Sequence, residues 1–167
     1  MRLLNTIMFV LPLLVGGNCY ADDYSAWLDA CEKHRDVVER ILSEEQVSLE
    51  FYYLMVAESK CTDKATSNKG AQGFWQLMPA TSSHYGCSNP HDIECSTRAA
   101  SRYIKKLSNE FKSFRDVIAA YNMGGHNYRR IGKMTGEAHG LVNRVIALIK
   151  QDNDESASTE DKDDSLD

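Results

Sequence analysis

The chain has 167 residues, 43% of them hydrophobic and 26% charged, and a net charge of −5. That is the make-up of one ordinary globular domain. It excludes a large multidomain enzyme, a collagen-like fibre and a wholly disordered chain, and the acidic balance gives no footing to a nucleic-acid binder. The charge is uneven: residues 151–167 alone carry −7, and without that tail and the first 21 residues 17 Lys and Arg face 16 Asp and Glu.

At the N-terminus, Arg2 opens a mostly apolar run from Leu3 to Val15. Gly16-Gly17 break it, and small Ala21 precedes Asp22-Asp23. This reads as a signal peptide over residues 1–21. The run is shorter than the ~20 residues of a membrane span, so the mature chain is expected in the periplasm or cell envelope, without a membrane span. An uncleaved anchor or a buried N-terminal helix is the alternative. Cys19 lacks the branched aliphatic neighbour of a lipoprotein cysteine. Cleavage removes Cys19 and leaves Cys31, Cys61, Cys87 and Cys95. An even number in an exported chain points to two disulfides, for which three pairings exist. Cys87–Cys95 is favoured because the turn-rich loop between them closes at low entropic cost, and Cys31–Cys61 follows by elimination. The cysteines lack zinc-ligand spacing.

Along the mature chain, Tyr24, Trp27, Leu28, Cys31, Val38, Ile41 and Leu42 form one apolar face, which predicts a helix from Asp23 to Leu42. A second helix is expected from Ser43, with Ser43 and Gln46 as a capping box, running through the apolar stretch that ends at Ala57. Ala100, Tyr103, Ile104, Leu107 and Phe111 make a third stripe. Ser113 and Asp116 cap a helix that Gly124-Gly125 ends, and a last helix covers Glu137 to Lys150. No alternating β-branched runs occur. The fold class is therefore mostly α, one compact domain over 22–150, with 151–167 expected to be a disordered acidic tail. That tail is a solvated terminus or a docking segment for a basic partner.

Glu58 stands directly after seven apolar or aromatic residues. A carboxyl at the C-terminal end of a buried helix is pushed toward its protonated form by burial and by the negative end of the helix dipole. A general acid needs that state near neutral pH. The opposing reading is a helix-terminal Glu turned to water. A polar loop follows to Gly73, then Phe74-Trp75-Gln76-Leu77-Met78-Pro79-Ala80-Thr81. Aromatics beside Gln and Met suit a sugar-binding groove, whereas core packing accounts for Phe74 and Leu77 but poorly for Gln76, since a buried amide needs partners.

Glu58-Ser59, the block from Gly70 to Thr81 and Ala120-Tyr121-Asn122 together resemble the soluble lytic transglycosylase (SLT) domain family. The Trp-Gln form of the second motif is closer to the branch of membrane-bound lytic murein transglycosylase D. The likeness covers about Val47 to Arg130. It implies a goose-lysozyme-like α fold and cleavage of peptidoglycan, with Glu58 as catalytic acid/base, Ser67 beside the catalytic carboxyl, and Gln76 and Met78 lining the glycan groove. Tyr121 is implied near the carboxyl and Asn122 at the substrate or the loop. Ser59 is expected to fix the loop after Glu58, Trp75 to be structural, and Tyr85 to serve either substrate or packing. Departures are Cys61 in the loop after Glu58, the short Cys87–Cys95 segment and the acidic tail.

Glycoside hydrolysis ordinarily uses two carboxylates, and no second one stands out. Asp63 lies in a loop, and Glu50 is about 12 Å back along a helix at ~1.5 Å per residue. The resemblance implies a non-hydrolytic route, in which the C6 hydroxyl of N-acetylmuramic acid attacks its own C1 and leaves a 1,6-anhydro sugar. A muramidase-type hydrolase using Asp63 is the first alternative, and a non-catalytic glycan-binding or secretion-system assembly protein the second. No metal or nucleotide motif is present, so no cofactor is expected. The expected partners are peptidoglycan glycan strands and a protein of an envelope machine; the chain itself is expected to be a monomer.

Overall fold

The computed structural model describes residues 24–163. The expected signal peptide over 1–21, Cys19 and the end of the tail, 164–167, lie outside them. The expected first helix is two, α1 (Ser25–Glu32) and α2 (Arg35–Glu44), separated by Lys33-His34. Its apolar stripe continues across the break: Leu28 and Cys31 on α1 and Val38, Ile41 and Leu42 on α2 are all buried. Neither Gly nor Pro marks the corner. It forms where the His34 ring meets Phe74 edge-on, with centroids 4.9 Å apart.

The expected Ser43/Gln46 capping box does not form. Ser43 is still inside α2, and Gln46 takes a left-handed φ of 59°. Ser48 caps instead, its hydroxyl accepting from the Glu50 N–H at 3.4 Å. A 3-10 turn, Leu49–Phe51, then leads into α3 (Tyr52–Ser59). Every residue from Tyr52 to Ala57 is buried. At roughly 1.5–3 kcal/mol per large apolar side chain, that burial fixes α3, and with it the position of Glu58 at its end.

Then come α4 (Pro79–His84), α5 (Ile93–Glu110), α6 (Phe114–Met123), α7 (Gly125–Ile131) and α8 (Gly136–Asp163). The Ser113 hydroxyl accepts from the Asp116 N–H at 3.0 Å, the cap expected for α6. Gly124 ends α6 with φ 79°, and α7, which the sequence reading lacked, starts on the next residue. α8 lies against α6, α3 and α1, and α5 against α2 and α6, enclosing one apolar core. The protein is a single mostly α domain, and among the described residues it has only isolated β-bridges, at Thr66–Gln72 and Gln72–Leu77. Among the described residues no helix is long and apolar enough to cross a membrane.

The disulfides are Cys31–Cys61 and Cys87–Cys95, each with Cα atoms 5.2 Å apart. The segment expected to be disordered from residue 151 is helical through Asp163, because its first residues are tied to the body. Asp152 accepts from the Arg35 guanidinium at 2.8 Å and from the Tyr53 hydroxyl at 2.6 Å. Arg35 also lies over the Tyr52 ring, 4.5 Å from its centroid. Composition missed this latch because it depends on one acid out of eight in the tail. Asp152→Ala is expected to cost about 1–2 kcal/mol, since it removes the acceptor of the part-buried Tyr53 hydroxyl and one of three carboxylates around Arg35, which keeps Glu32 and Glu39. A thermal melt within experimental error of the parent's would show that the latch holds nothing.

Candidate active site

α3 delivers Glu58 to the wall of a cleft of about 460 Å³, lined also by Ser67, Lys69, Gln76, Met78, Tyr103, Tyr121, Asn122 and Glu137. Burial drives the Glu58 carboxyl from an ordinary 4.5 to about 7. The Arg144 guanidinium works against that shift, and the Glu137 carboxylate adds to it. Near neutral pH Glu58 is thus divided between a form that gives a proton and a form that takes one.

The backbone beyond Glu58 is held under strain. Lys60 and Cys61 are both left-handed, at φ 51° and 54°, a conformation costing of order 1 kcal/mol or more for each non-glycine residue. Three contacts hold it. The Ser59 hydroxyl accepts from the Cys61 N–H at 3.1 Å, Cys61 is bonded to Cys31 on α1, and the Lys60 ammonium sits 4.2 Å from the Trp27 ring centroid. Ser59 therefore occupies the loop-fixing place expected for it.

The next loop doubles back on itself. The Ser67 hydroxyl accepts from the Ala71 N–H at 3.0 Å, and Gln72 exchanges backbone hydrogen bonds with Leu77 at 2.9 and 3.1 Å. Gln76 is left-handed, φ 46°. Its amide nitrogen donates to Gly73 O at 2.9 Å and Ala65 O at 3.3 Å, which keeps its amide oxygen available to a ligand. Met78 is 46% exposed in the cleft, an apolar surface suited to the face of a sugar ring. The loop is clamped from behind. Trp75 is fully buried, its indole N–H donating to the Thr97 hydroxyl at 2.9 Å, which is the structural role expected for it. The Tyr121 hydroxyl donates to Trp75 O at 2.8 Å. Burial, then the Glu58 carboxylate, then Tyr103 push the Tyr121 phenol well above 10, so it remains a hydrogen-bond donor.

The cleft thus brings together Glu58, Ser67, Gln76, Met78, Tyr121 and Asn122. It leaves Asp63 and Glu50 outside its lining; the Asp63 carbonyl meets the His91 ring nitrogen at 2.7 Å, and Glu50 is exposed in the 3-10 turn. Tyr85 also stays outside, its ring stacked on Tyr103 at 5.4 Å, a packing place. Sequence reasoning missed Glu137, Lys69 and Tyr103. Tyr103 counted as core because it falls on the α5 stripe; a phenol among aliphatics was the signal. Glu137, in the first turn of α8, has its carboxyl pulled below the ordinary range chiefly by Lys69, which donates to it at 2.6 Å. Among the described residues no three His, Cys, Asp or Glu side chains gather to hold a metal ion.

Residues 39–141 match the family described as the Transglycosylase SLT domain. Among curated proteins, the chain is 29% identical over 111 residues to the membrane-bound lytic murein transglycosylase D of Escherichia coli K12, a match covering 62% of this chain and 22% of that protein. It is 29% identical over 92 residues to the transglycosylase of Enterobacteria phage PRD1, covering 55% of this chain and 34% of the phage protein. The chain therefore spans about a fifth and a third of the lengths of these relatives.

Proposed function

Because the chain belongs to the transglycosylase SLT domain family, we propose that it is an exported lytic transglycosylase that cleaves the β-1,4 bond between N-acetylmuramic acid and N-acetylglucosamine in peptidoglycan without consuming water. The observation that carries this reading is a carboxyl poised at about 7 in a cleft to which all three motifs contribute, through Glu58, Gln76, Met78, Tyr121 and Asn122. Protonated Glu58 gives its proton to the glycosidic oxygen as the C1–O bond breaks, and charge builds at C1 of the muramic acid. Glu58, now a carboxylate, takes the proton of that sugar's C6 hydroxyl as its oxygen bonds to C1. The acid is regenerated and a 1,6-anhydro ring closes. An attacking group already attached to the substrate carries its entropy cost in advance, so one carboxyl serves both steps. Gln76, Asn122 and Ser67 are proposed to hold glycan hydroxyls and amides, Met78 to bear on a ring face, and Tyr121 to orient Glu58. The names carried by the relatives, a murein transglycosylase and a phage transglycosylase, agree with this chemistry.

Mass spectrometry of the soluble products released from purified peptidoglycan tests it, and fragments ending in 1,6-anhydromuramic acid are expected. Reducing ends, heavier by one water, would mean a hydrolase. Its second carboxylate would then be Glu137, the other acid on the cleft wall, in place of Asp63. Retention of strands with no fragments released would mean a glycan-binding protein.

A further inference from the structure

Three charged side chains line the cleft, the carboxyls of Glu58 and Glu137 and the ammonium of Lys69, and the Arg144 guanidinium, off the cleft wall, acts on both carboxyls through space. With Glu58 protonated the set carries a net positive charge, which favours an anionic ligand. The mechanism above uses Glu58 and leaves Lys69 with nothing to do. Lys69 stands at the tip of a loop whose backbone is fixed on both sides, by the Gly70 N–H to Ser67 O bond at 2.9 Å and the Ala71 N–H to Ser67 hydroxyl bond at 3.0 Å. Its side chain is 73% exposed, and that of its partner Glu137 is 60% exposed. An ion pair so open to water is held weakly, and an arriving carboxylate can compete for the ammonium. Glu137 does not depend on Lys69 alone, because Asn122 and the Arg144 guanidinium also favour its ionised form.

We propose that Lys69 is a specificity-determining residue: its ammonium leaves Glu137 to take a carboxylate of the peptide stem borne by the muramic acid, so that the cleft favours strands whose stems are charged. This rests on the peptidoglycan reading above. A flexible four-carbon stem on a fixed loop suits the task, since the ammonium is a point charge that can swing without moving the residues around Glu58.

The test compares kcat/KM on wall fragments with free stem carboxylates and on the same fragments after conversion of those carboxylates to primary amides. The parent is expected to favour the free acids by about 2–5-fold, an effect in keeping with one solvent-exposed charge contact. Lys69→Ala should bring that ratio close to one, and Lys69→Arg should keep most of it. Because a ratio is read, general damage to turnover cancels. Glu137→Gln separates a direct role from a structural one: with its competitor gone, Lys69 should hold the preference or strengthen it. A parent that cleaves both fragments equally, or a Glu137→Gln variant that loses the preference as Lys69→Ala does, would overturn the proposal. A parent that cleaves neither fragment would overturn the cell-wall reading and this proposal with it.

Discussion

Glu58→Gln is expected to abolish glycan cleavage, by roughly 10³-fold or more, and at alkaline pH to make the protein more stable. The amide keeps the size of the side chain but can neither give nor retake a proton. The stability gain follows from proton linkage. Folding raises the Glu58 pKa from an ordinary 4.5 to about 7, so the native state binds the proton more tightly than the unfolded chain does. That contribution is complete below about 4.5 and is lost as pH rises through 7. Above 7 the parent carries a buried charge costing about 3 kcal/mol, which Gln does not have. At pH 8 to 9 the variant should therefore melt about 5–10 °C higher than the parent, and the gap should close near pH 5. Melting curves that run parallel across this range would mean that Glu58 is ordinarily ionised in the folded protein. The parent's activity as a proton donor should fall on the alkaline side of 7 for the same reason.

Gly73→Ala is the second large effect. Gly73 has φ +73°, and a Cβ placed on it would stand 1.7 Å from Pro90 O and 2.5 Å from the Pro90 carbonyl carbon, both backbone atoms. Neither side can yield easily. Pro90 lies within the loop closed by Cys87–Cys95, and Gly73 is pinned by its own N–H to Ala65 O at 2.9 Å. The Gln76 side chain hangs from Gly73 O. Displacement of Gly73 thus displaces the cleft amide as well. A loss of about 2–4 kcal/mol is expected, together with about 10²-fold in turnover, since misplacement by ~1 Å is enough for that. Denaturant titration with assay of the same samples measures both, and a variant matching the parent in both would show that the loop is far softer than its contacts imply.

Both effects involve residues that are legible in sequence to different degrees. Glu58 was visible because a charge directly after seven apolar residues breaks a local pattern. The caps at Ser113 and Asp116 were visible because helix ends are local chemistry. The corner at Lys33-His34 was not, since the apolar stripe runs straight through it and what bends the chain is His34 meeting Phe74, 40 residues on. Ser43 and Gln46 satisfied the capping pattern while Ser48, five residues after Ser43, performed the role, because tertiary packing carried α2 further than its propensity suggested. Glu137 and Lys69 were illegible for a different reason. Each is an ordinary surface residue of its own segment, and only the packing of α8 over α3 and α6 brings them to one rim. Asp63, nearest to Glu58 in sequence among the weighed partners, lies outside the cleft, whose other acid, Glu137, is 79 residues away.

α8 is a lever. One uninterrupted helix carries Glu137 in its first turn, Leu141, Val142, Val145 and Leu148 in the core, and the latched Asp152 beyond them. Val145, at the middle of its buried stretch, stands about 12 Å from Glu137 and about 10 Å from Asp152 at ~1.5 Å per residue. A tilt of about 5° about that point would carry the Glu137 end by about 1 Å, a distance on which catalysis can turn by two orders of magnitude. A pull on the charged end of the rod would therefore be geared to the rim of the cleft, against the packing of the buried α8 side chains, the Arg35 and Tyr53 bonds to Asp152 and the Tyr24 N–H bond to the Gln151 side chain.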